Sequence, residues 1–231
     1  MANTPDDVSC AGHRQRLRDK FVKNQLADYE RIELMLTYAI ARRDVRQPAR
    51  ALMKKFGSVY QILTAPLEEL ASVKGVGMVS AICIKQMHDL MTIGFKEYMI
   101  KQPFYKDYGG FENYCRLVVG GKAKEEVHVL YLGANDCLIE EEVHSKGTSN
   151  ESAIYVQNIL QKALKTEAHS IIMIHNHPTA MTSFSDDDIK TTLELHELLK
   201  HVGIVFRDHY VVSGSIIYSA RNMHIIVDES K

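Results

Sequence analysis

The chain lacks several features that would place it in a membrane or outside the cell. No run approaches the roughly 18 consecutive apolar residues that a membrane-spanning helix needs, so we expect no transmembrane segment. Its polar, acidic opening has neither the cationic nor the apolar part of a signal peptide. Only 4 cysteines are present, without a Cys-x-x-Cys pair, which argues against a zinc ribbon or a disulfide framework. These absences predict a cytoplasmic protein with reduced thiols.

Charge is nearly balanced over the 231 residues, at a formal -1, but it is divided unevenly. Residues 1–100 carry 15 Lys and Arg against 11 Asp and Glu, whereas residues 101–231 carry 13 against 18. A mildly basic part is therefore joined to a mildly acidic part. Neither imbalance is large enough to establish a nucleic-acid partner.

The hydrophobic pattern divides the chain at the same place. Apolar residues recur every three or four positions through residues 13–100, which predicts helices. This pattern lapses around residues 101–110, where we place a linker. Beyond it we predict strands at 127–132, 137–143, 170–175, 204–207, 209–212 and 215–219, and helices at 151–165 and 186–201. We therefore predict an α+β protein with a helical domain over residues 1–102 and an α/β domain with a mixed sheet over residues 103–231.

A histidine pair and an aspartate form the most informative cluster. On a strand, residues two apart point to the same side, so His175 and His177 can face one point. The segment Ser185-x-x-Asp188 follows, and a helix beginning at Ser185 would hold Asp188 in its first turn. Two imidazoles and one carboxylate suit a zinc ion and leave a fourth position open for water.

Each part of this cluster also has a structural interpretation. Ser-x-x-Asp resembles a capping box, and acidic residues such as Asp186 and Asp187 are favourable at the positive end of a helix. Paired histidines at a strand end can be solvated loop residues. We favour a metal site because these residue types occur together at the end of a buried strand and just after it.

The spacing His-x-His, seven residues, Ser-x-x-Asp resembles the signature of JAMM metalloproteins, also called JAB or MPN+. The segments HNHP (175–178), SKGT (145–148), RDHYVVSG (207–214) and GHRQRLRDKF (12–21) resemble the RadC family in particular. This resemblance runs from about Gly12 to Ser219. It implies a small all-helical N-terminal domain with a helix-hairpin-helix, followed by an α/β JAMM domain (MPN, cytidine-deaminase-like).

The resemblance also implies roles for individual residues. His175, His177 and Asp188 would hold one Zn²⁺ per chain, and Ser185 would stabilise a developing oxyanion. A glutamate at the start of an earlier strand would act as the general base. Glu125 is our preferred choice for that base, and the neighbouring Glu126 stays open.

Some positions depart from the family pattern or have an open role. The loop at 179–184 lacks the family's usual Ser-Gly and second Pro, and Gly133 replaces an Asp; neither change removes a ligand or Ser185. His209 can either hydrogen-bond to a metal ligand or form a structural pair with Asp208.

A glycine turn in the first domain predicts a second kind of contact. Lys74, Gly75, Val76 and Gly77 lie between two helical segments and resemble a helix-hairpin-helix turn. Such a turn exposes backbone N–H groups to a DNA phosphate, so residues 70–85 would contact DNA without sequence specificity. An ordinary glycine turn between packed helices, or a hairpin that contacts protein, is the alternative.

These patterns favour a zinc metallohydrolase of the peptidase or isopeptidase type, acting on an unidentified peptide or protein. The alternative is a DNA repair or recombination protein in which the metal domain is structural or mediates interactions. A scaffold that only binds metal is a third hypothesis. Two histidines and one carboxylate also suit iron or manganese, and the JAMM-like spacing is the reason to prefer zinc.

Overall fold

The computed structural model describes residues 5–103, 106–122, 124–145, 152–178 and 183–227. Residues 146–148 of the SKGT segment and residues 179–182 of the unusual loop lie outside the described part. Contacts group the chain into two compact units, Met1–Leu90 and Met91–Lys231. The domain boundary between residues 102 and 103 stays a prediction. Among the described residues, no helix has both the length and the apolarity required to cross a bilayer.

Helices form the N-terminal part, as the periodicity predicts. Their bounds are α1 Pro5–Val22, α2 Asp28–Ala39, α3 Arg46–Phe56, α4 Val59–Thr64, α5 Leu67–Ala71 and α6 Gly77–Lys101. Leu36, Leu52 and Ile62 are fully buried where α2, α3 and α4 pack together. The last helix continues to Lys101, beyond its predicted end near Met91.

The second unit contains the predicted mixed α/β domain. Its elements are α7 Tyr108–Val119, β1 Glu126–Leu132, β2 Leu138–Ser145, α8 Ser152–Lys165, β3 Ser170–His177, α9 Asp186–His201, β4 Val205–Ser213 and β5 Ile216–Ser219. Strand order is β2-β1-β3-β4-β5, with β3 and β4 parallel and the other pairs antiparallel. The predicted fold class, a helical region followed by an α/β domain with a mixed sheet, is confirmed, and the helix-hairpin-helix stays a prediction.

The central strand β3 is covered by helices on both faces. Ile171 and Met173 pack in a core with α8 and α9, whereas Ile172 and Ile174 pack on the opposite face with α7 and the end of α6. All four side chains are buried, as the absence of polar alternation predicts. The strand therefore holds the histidines at its end in a rigid layer.

Strand β4 corrects the prediction of two short strands at 204–207 and 209–212. It runs unbroken from Val205 to Ser213 with Asp208 buried inside it. Burial raises the pKa of the Asp208 carboxyl, although hydrogen bonds donated by the Ser219 hydroxyl and the Arg221 amide lower it in part. Because these donors satisfy the buried carboxylate, Asp208 can lie inside a continuous strand.

Buried Glu141 connects three elements of the second unit. Its carboxylate lies 2.7 Å from His128 Nδ1 on β1 and 2.7 Å from Lys96 Nζ on α6. Burial raises the pKa of Glu141, and hydrogen bonds from His128 and Lys96 outweigh this effect and lower the pKa to about 2. The charged carboxylate therefore stabilises the fold.

We expect Glu141→Gln to lower the free energy of unfolding at pH 7 by roughly 3 kcal/mol. Because the folded pKa is depressed, this contribution is present above the ordinary glutamate pKa and is lost as the pH falls toward 2. Urea unfolding at pH 7 and pH 3 measures the effect. Glu140→Gln, which disrupts the more exposed pair with Lys162, is the control and should lower the free energy of unfolding much less. Equal losses in the two variants would contradict the assignment.

Candidate metal centre

Two histidines converge at the end of β3. Because they are two residues apart, His175 and His177 point to the same face, and their Nε2 atoms lie 3.1 Å apart. The side chain of His175 is almost wholly buried, and that of His177 is mostly buried. The predicted convergence of these two side chains is present.

Asp188 brings the third donor atom from the first turn of α9. Its Oδ2 atom lies 3.2 Å from His177 Nε2 and 3.5 Å from His175 Nε2. The same carboxylate closes a capping box, because Oδ2 accepts hydrogen bonds from the Ser185 amide and hydroxyl while Ser185 Oγ accepts one from the Asp188 amide. One carboxylate therefore caps α9 and also offers a donor atom beside the two histidines.

Glu125 completes the cluster, and Glu126 lies elsewhere. Glu125 Oε1 is 3.8 Å from His175 Nε2, and one donor atom from each of Glu125, His175, His177 and Asp188 lies within 4.8 Å of the others. Glu126 instead accepts a hydrogen bond from Lys122 Nζ at 2.8 Å and forms an ion pair with it. The Glu126 side chain lies on the face of β1 that points away from the cluster. The sequence leaves the choice between the two glutamates open, and the structure has Glu125, not Glu126, beside the histidines and Asp188.

The donor chemistry of this cluster fits a metal ion. Imidazole nitrogens and carboxylate oxygens are typical ligands of divalent transition metals. Three such atoms with mutual distances of 3.1, 3.2 and 3.5 Å can bind one ion between them. The carboxylate of Glu125 lies slightly farther away and is partly exposed to solvent. We therefore identify His175, His177 and Asp188 as candidate metal ligands, with Glu125 beside them.

Asn176, between the two histidines, holds the segment that carries Glu125. Its side chain faces away from the donors and is buried. Oδ1 accepts a hydrogen bond from the Glu126 amide at 2.9 Å, and Nδ2 donates to the carbonyls of Lys122 and Lys124. Sequence reasoning missed this residue because its partners lie about fifty positions earlier in the chain. The only local signal is an amide side chain between two histidines, at the end of a strand whose preceding residues 171–174 are apolar.

We expect Asn176→Ala to accelerate hydrogen exchange at the Glu126 amide at least tenfold. Each lost hydrogen bond to a buried partner costs on the order of 1 kcal/mol, and three are lost together. Metal affinity should change little, since the three closest donors lie on the other face of the strand. Asn113→Ala, at an exposed position of α7, is the matched control. Unchanged exchange in Asn176→Ala would exclude this positioning role.

The predicted glycine hairpin lies between α5 and α6, far from these residues in sequence. Gly75 has a φ of +87°, and a Cβ atom there would lie 2.8 Å from the Pro48 ring. Gly77 begins α6 with a φ of +66°, and Lys74 is exposed. Backbone conformation and packing therefore explain the glycine at position 75 without a ligand.

Comparison with known proteins supplies the family. A family model described as a RadC-like JAB domain matches residues 107–225. A UPF0758 protein from Ruegeria pomeroyi is 31% identical over 212 residues, which cover 90% of this chain and 95% of the relative. Another UPF0758 protein, from Fusobacterium nucleatum, is 33% identical over 218 residues, which cover 90% of this chain and 94% of the relative.

The residues of the candidate site are consistent with the family of the matching domain model. A JAB domain with a cluster of two histidines, an aspartate and a glutamate fits a metal-dependent, hydrolase-like domain. The family model covers the part of the chain that contains all four residues. With relatives that match over nine tenths of its length, the chain belongs to the RadC family.

Proposed function

We propose that this protein is a zinc-dependent hydrolase that cleaves an amide bond in a peptide or isopeptide substrate. One observation carries the proposal: three donor atoms surround a common point, and the carboxylate of Glu125 lies just beyond them. A purely structural metal site needs the ligands and has no use for that additional carboxylate. The cytoplasmic location expected from the sequence is part of the same proposal.

The spacing of the donors supports zinc. Zinc binds histidine and carboxylate ligands at about 2.0–2.1 Å, so the ligand atoms of a tetrahedral site lie about 3.3 Å apart. At the same bond length, neighbouring ligands in an octahedral site lie about 2.9 Å apart. The separations of 3.2 and 3.5 Å are closer to the tetrahedral value, whereas 3.1 Å lies midway between the two values. His175, His177 and Asp188 would hold the ion and leave one position for a fourth ligand.

Glu125 would transfer protons in this mechanism. A bound zinc ion lowers the pKa of a water ligand to about 7 and polarises a substrate carbonyl. The Glu125 carboxylate is close enough to the donor set to accept the proton of the attacking water and deliver it to the leaving amine nitrogen. Its partial exposure leaves space for substrate at the same position.

Ser185 would support the negative charge that develops on the carbonyl oxygen. Its hydroxyl donates to Asp188 Oδ2 at 2.6 Å and accepts from the Asp188 amide at 3.1 Å. Rotation of this hydroxyl would redirect its proton toward a substrate oxygen beside the donors. Such a hydrogen bond stabilises a tetrahedral intermediate more than the planar amide.

A cleavage assay tests the proposal. Protein purified without a histidine tag is loaded with zinc and incubated with libraries of linear and isopeptide-linked peptides, and the products are identified by mass spectrometry. We expect cleavage that a chelator abolishes and added zinc restores. Stoichiometric zinc binding without cleavage in either library would favour a structural metal domain instead.

DNA contact through residues 70–85 stays a prediction. Lys74→Glu is the appropriate variant for testing it, because Lys74 is exposed and its loss should not affect packing. Salt-sensitive DNA binding that disappears in this variant would support contact with the phosphate backbone. A substitution of Gly75 would be uninformative, since any Cβ would collide with Pro48.

A further inference from the structure

A chain of buried side chains leads away from the candidate metal centre. His175 Nδ1, on the side of the ring opposite the donor set, lies 2.7 Å from His209 Nε2 on β4. His209 Nδ1 lies 2.6 Å from Thr192 Oγ1 on α9. Thr192 Oγ1 in turn lies 2.5 Å from the backbone carbonyl oxygen of Asp188. All three side chains are almost wholly buried.

The donor and acceptor properties of these groups determine which atom donates in each hydrogen bond of this series. A carbonyl oxygen only accepts, so the single hydroxyl proton of Thr192 is donated to Asp188. The Thr192 oxygen must then accept from His209, which places the proton of His209 on Nδ1.

The same rules extend to the metal ligand. Burial disfavours a charged imidazolium, so a neutral His209 presents Nε2 as an acceptor. His175 must therefore donate from Nδ1, and its Nε2 carries the lone pair that faces His177 and Asp188.

We propose that Thr192 and His209 are positioning residues that hold His175 in the tautomer able to bind a metal. The inference rests on the metal site of the proposed function and adds residues that set its protonation. The chain begins at the backbone of Asp188 and ends at His175, so it ties two donors from different elements together. Phe184 covers His209 with an edge contact at 5.0 Å between ring centroids.

The two histidine ligands differ in this respect. Within the described residues, Nδ1 of His177 is buried and has no hydrogen-bond partner. The chain through His209 therefore acts on His175 alone. A defect in it should weaken metal binding without removing a ligand.

Thr192→Val and Thr192→Ser form a matched pair for the test. Valine keeps the volume but removes the hydroxyl, so His209 can place its proton on Nε2 and drive His175 to the tautomer protonated on Nε2. We expect the zinc dissociation constant of Thr192→Val, measured by chelator competition, to rise 10- to 100-fold. Serine keeps the hydroxyl and should stay within about threefold of the wild type.

Nuclear magnetic resonance of zinc-free protein, labelled with ¹⁵N at histidine, reads the tautomers directly. Long-range ¹H–¹⁵N correlations should show His175 and His209 protonated on Nδ1 in the wild type and in Thr192→Ser. In Thr192→Val a population protonated on Nε2 should appear while thermal unfolding still shows a folded protein. His175 protonated on Nε2 in the wild type, or wild-type zinc affinity in Thr192→Val, would overturn the inference. Expected tautomers and affinities without any amide cleavage would leave it standing and reject only the hydrolase proposal.

Discussion

Glu125→Gln should greatly slow amide hydrolysis while leaving zinc in place. Glutamine has the shape of glutamate but cannot accept and return a proton, and general acid–base catalysis typically contributes 10²- to 10⁴-fold. We expect a loss of that order in kcat/KM. Zinc content should stay at about one ion per chain, because the Glu125 carboxylate lies outside the three closest donor atoms. Cleavage kinetics and metal analysis on the same sample measure the two effects.

The neighbouring glutamate is the matched control. Glu126→Gln makes the same chemical change one position later, where the carboxylate pairs with Lys122 and lies 3.6 Å from His128. Hydrolysis by this variant should stay within a few-fold of the wild type. If Glu126→Gln were inactive and Glu125→Gln active, the general base would be assigned to the wrong glutamate.

His177→Ala should remove the metal. His177 Nε2 is one of three close donor atoms, and two remaining ligands are too few for a stable zinc site. We expect zinc to fall from about one per chain to a trace in protein purified without a tag, with at least a 100-fold weaker affinity on zinc addition. Elemental analysis and chelator competition measure these quantities.

A third histidine near β3 supplies the control for this change. His169 directly precedes the strand at its opposite end and is exposed, so His169→Ala should retain zinc. Wild-type protein that contains no zinc and takes up none on addition would reject the metal-dependent function altogether. Retention of zinc by His177→Ala would mean that other residues form the site.

The candidate metal cluster could be predicted because its close donors are local. His175, His177 and Asp188 lie within fourteen residues, so strand alternation and one helix start determine their arrangement. The choice between Glu125 and Glu126 required the register of β1 against β3, which local pattern does not specify. The pairing of β1 with β3 in the folded protein supplies this register.

Helix α7 and the contacts of Asn176 and Thr192 were missed for related physical reasons. Two glycines, Gly109 and Gly110, weaken the helical pattern at the start of α7, although Asp107 caps the helix by accepting a hydrogen bond from the Gly110 amide. Asn176 and Thr192 each form a hydrogen bond with a residue on another element. Their residue types are ordinary for a strand end and a helix interior, so only the tertiary structure reveals their contacts.

If the proposed site binds its metal, the carboxylate of Asp188 would couple metal occupancy to the opening of the first turn of α9. Because Oδ2 both caps α9 and faces His177, the first turn of α9 cannot open without separating the donors. A ligand that binds only the closed turn stabilises it by about 2.7 kcal/mol at one hundred times its dissociation constant. Zinc at that concentration should therefore lower the population of the opened turn roughly a hundredfold, and slower hydrogen exchange at the Asp188 amide would report that the metal is bound.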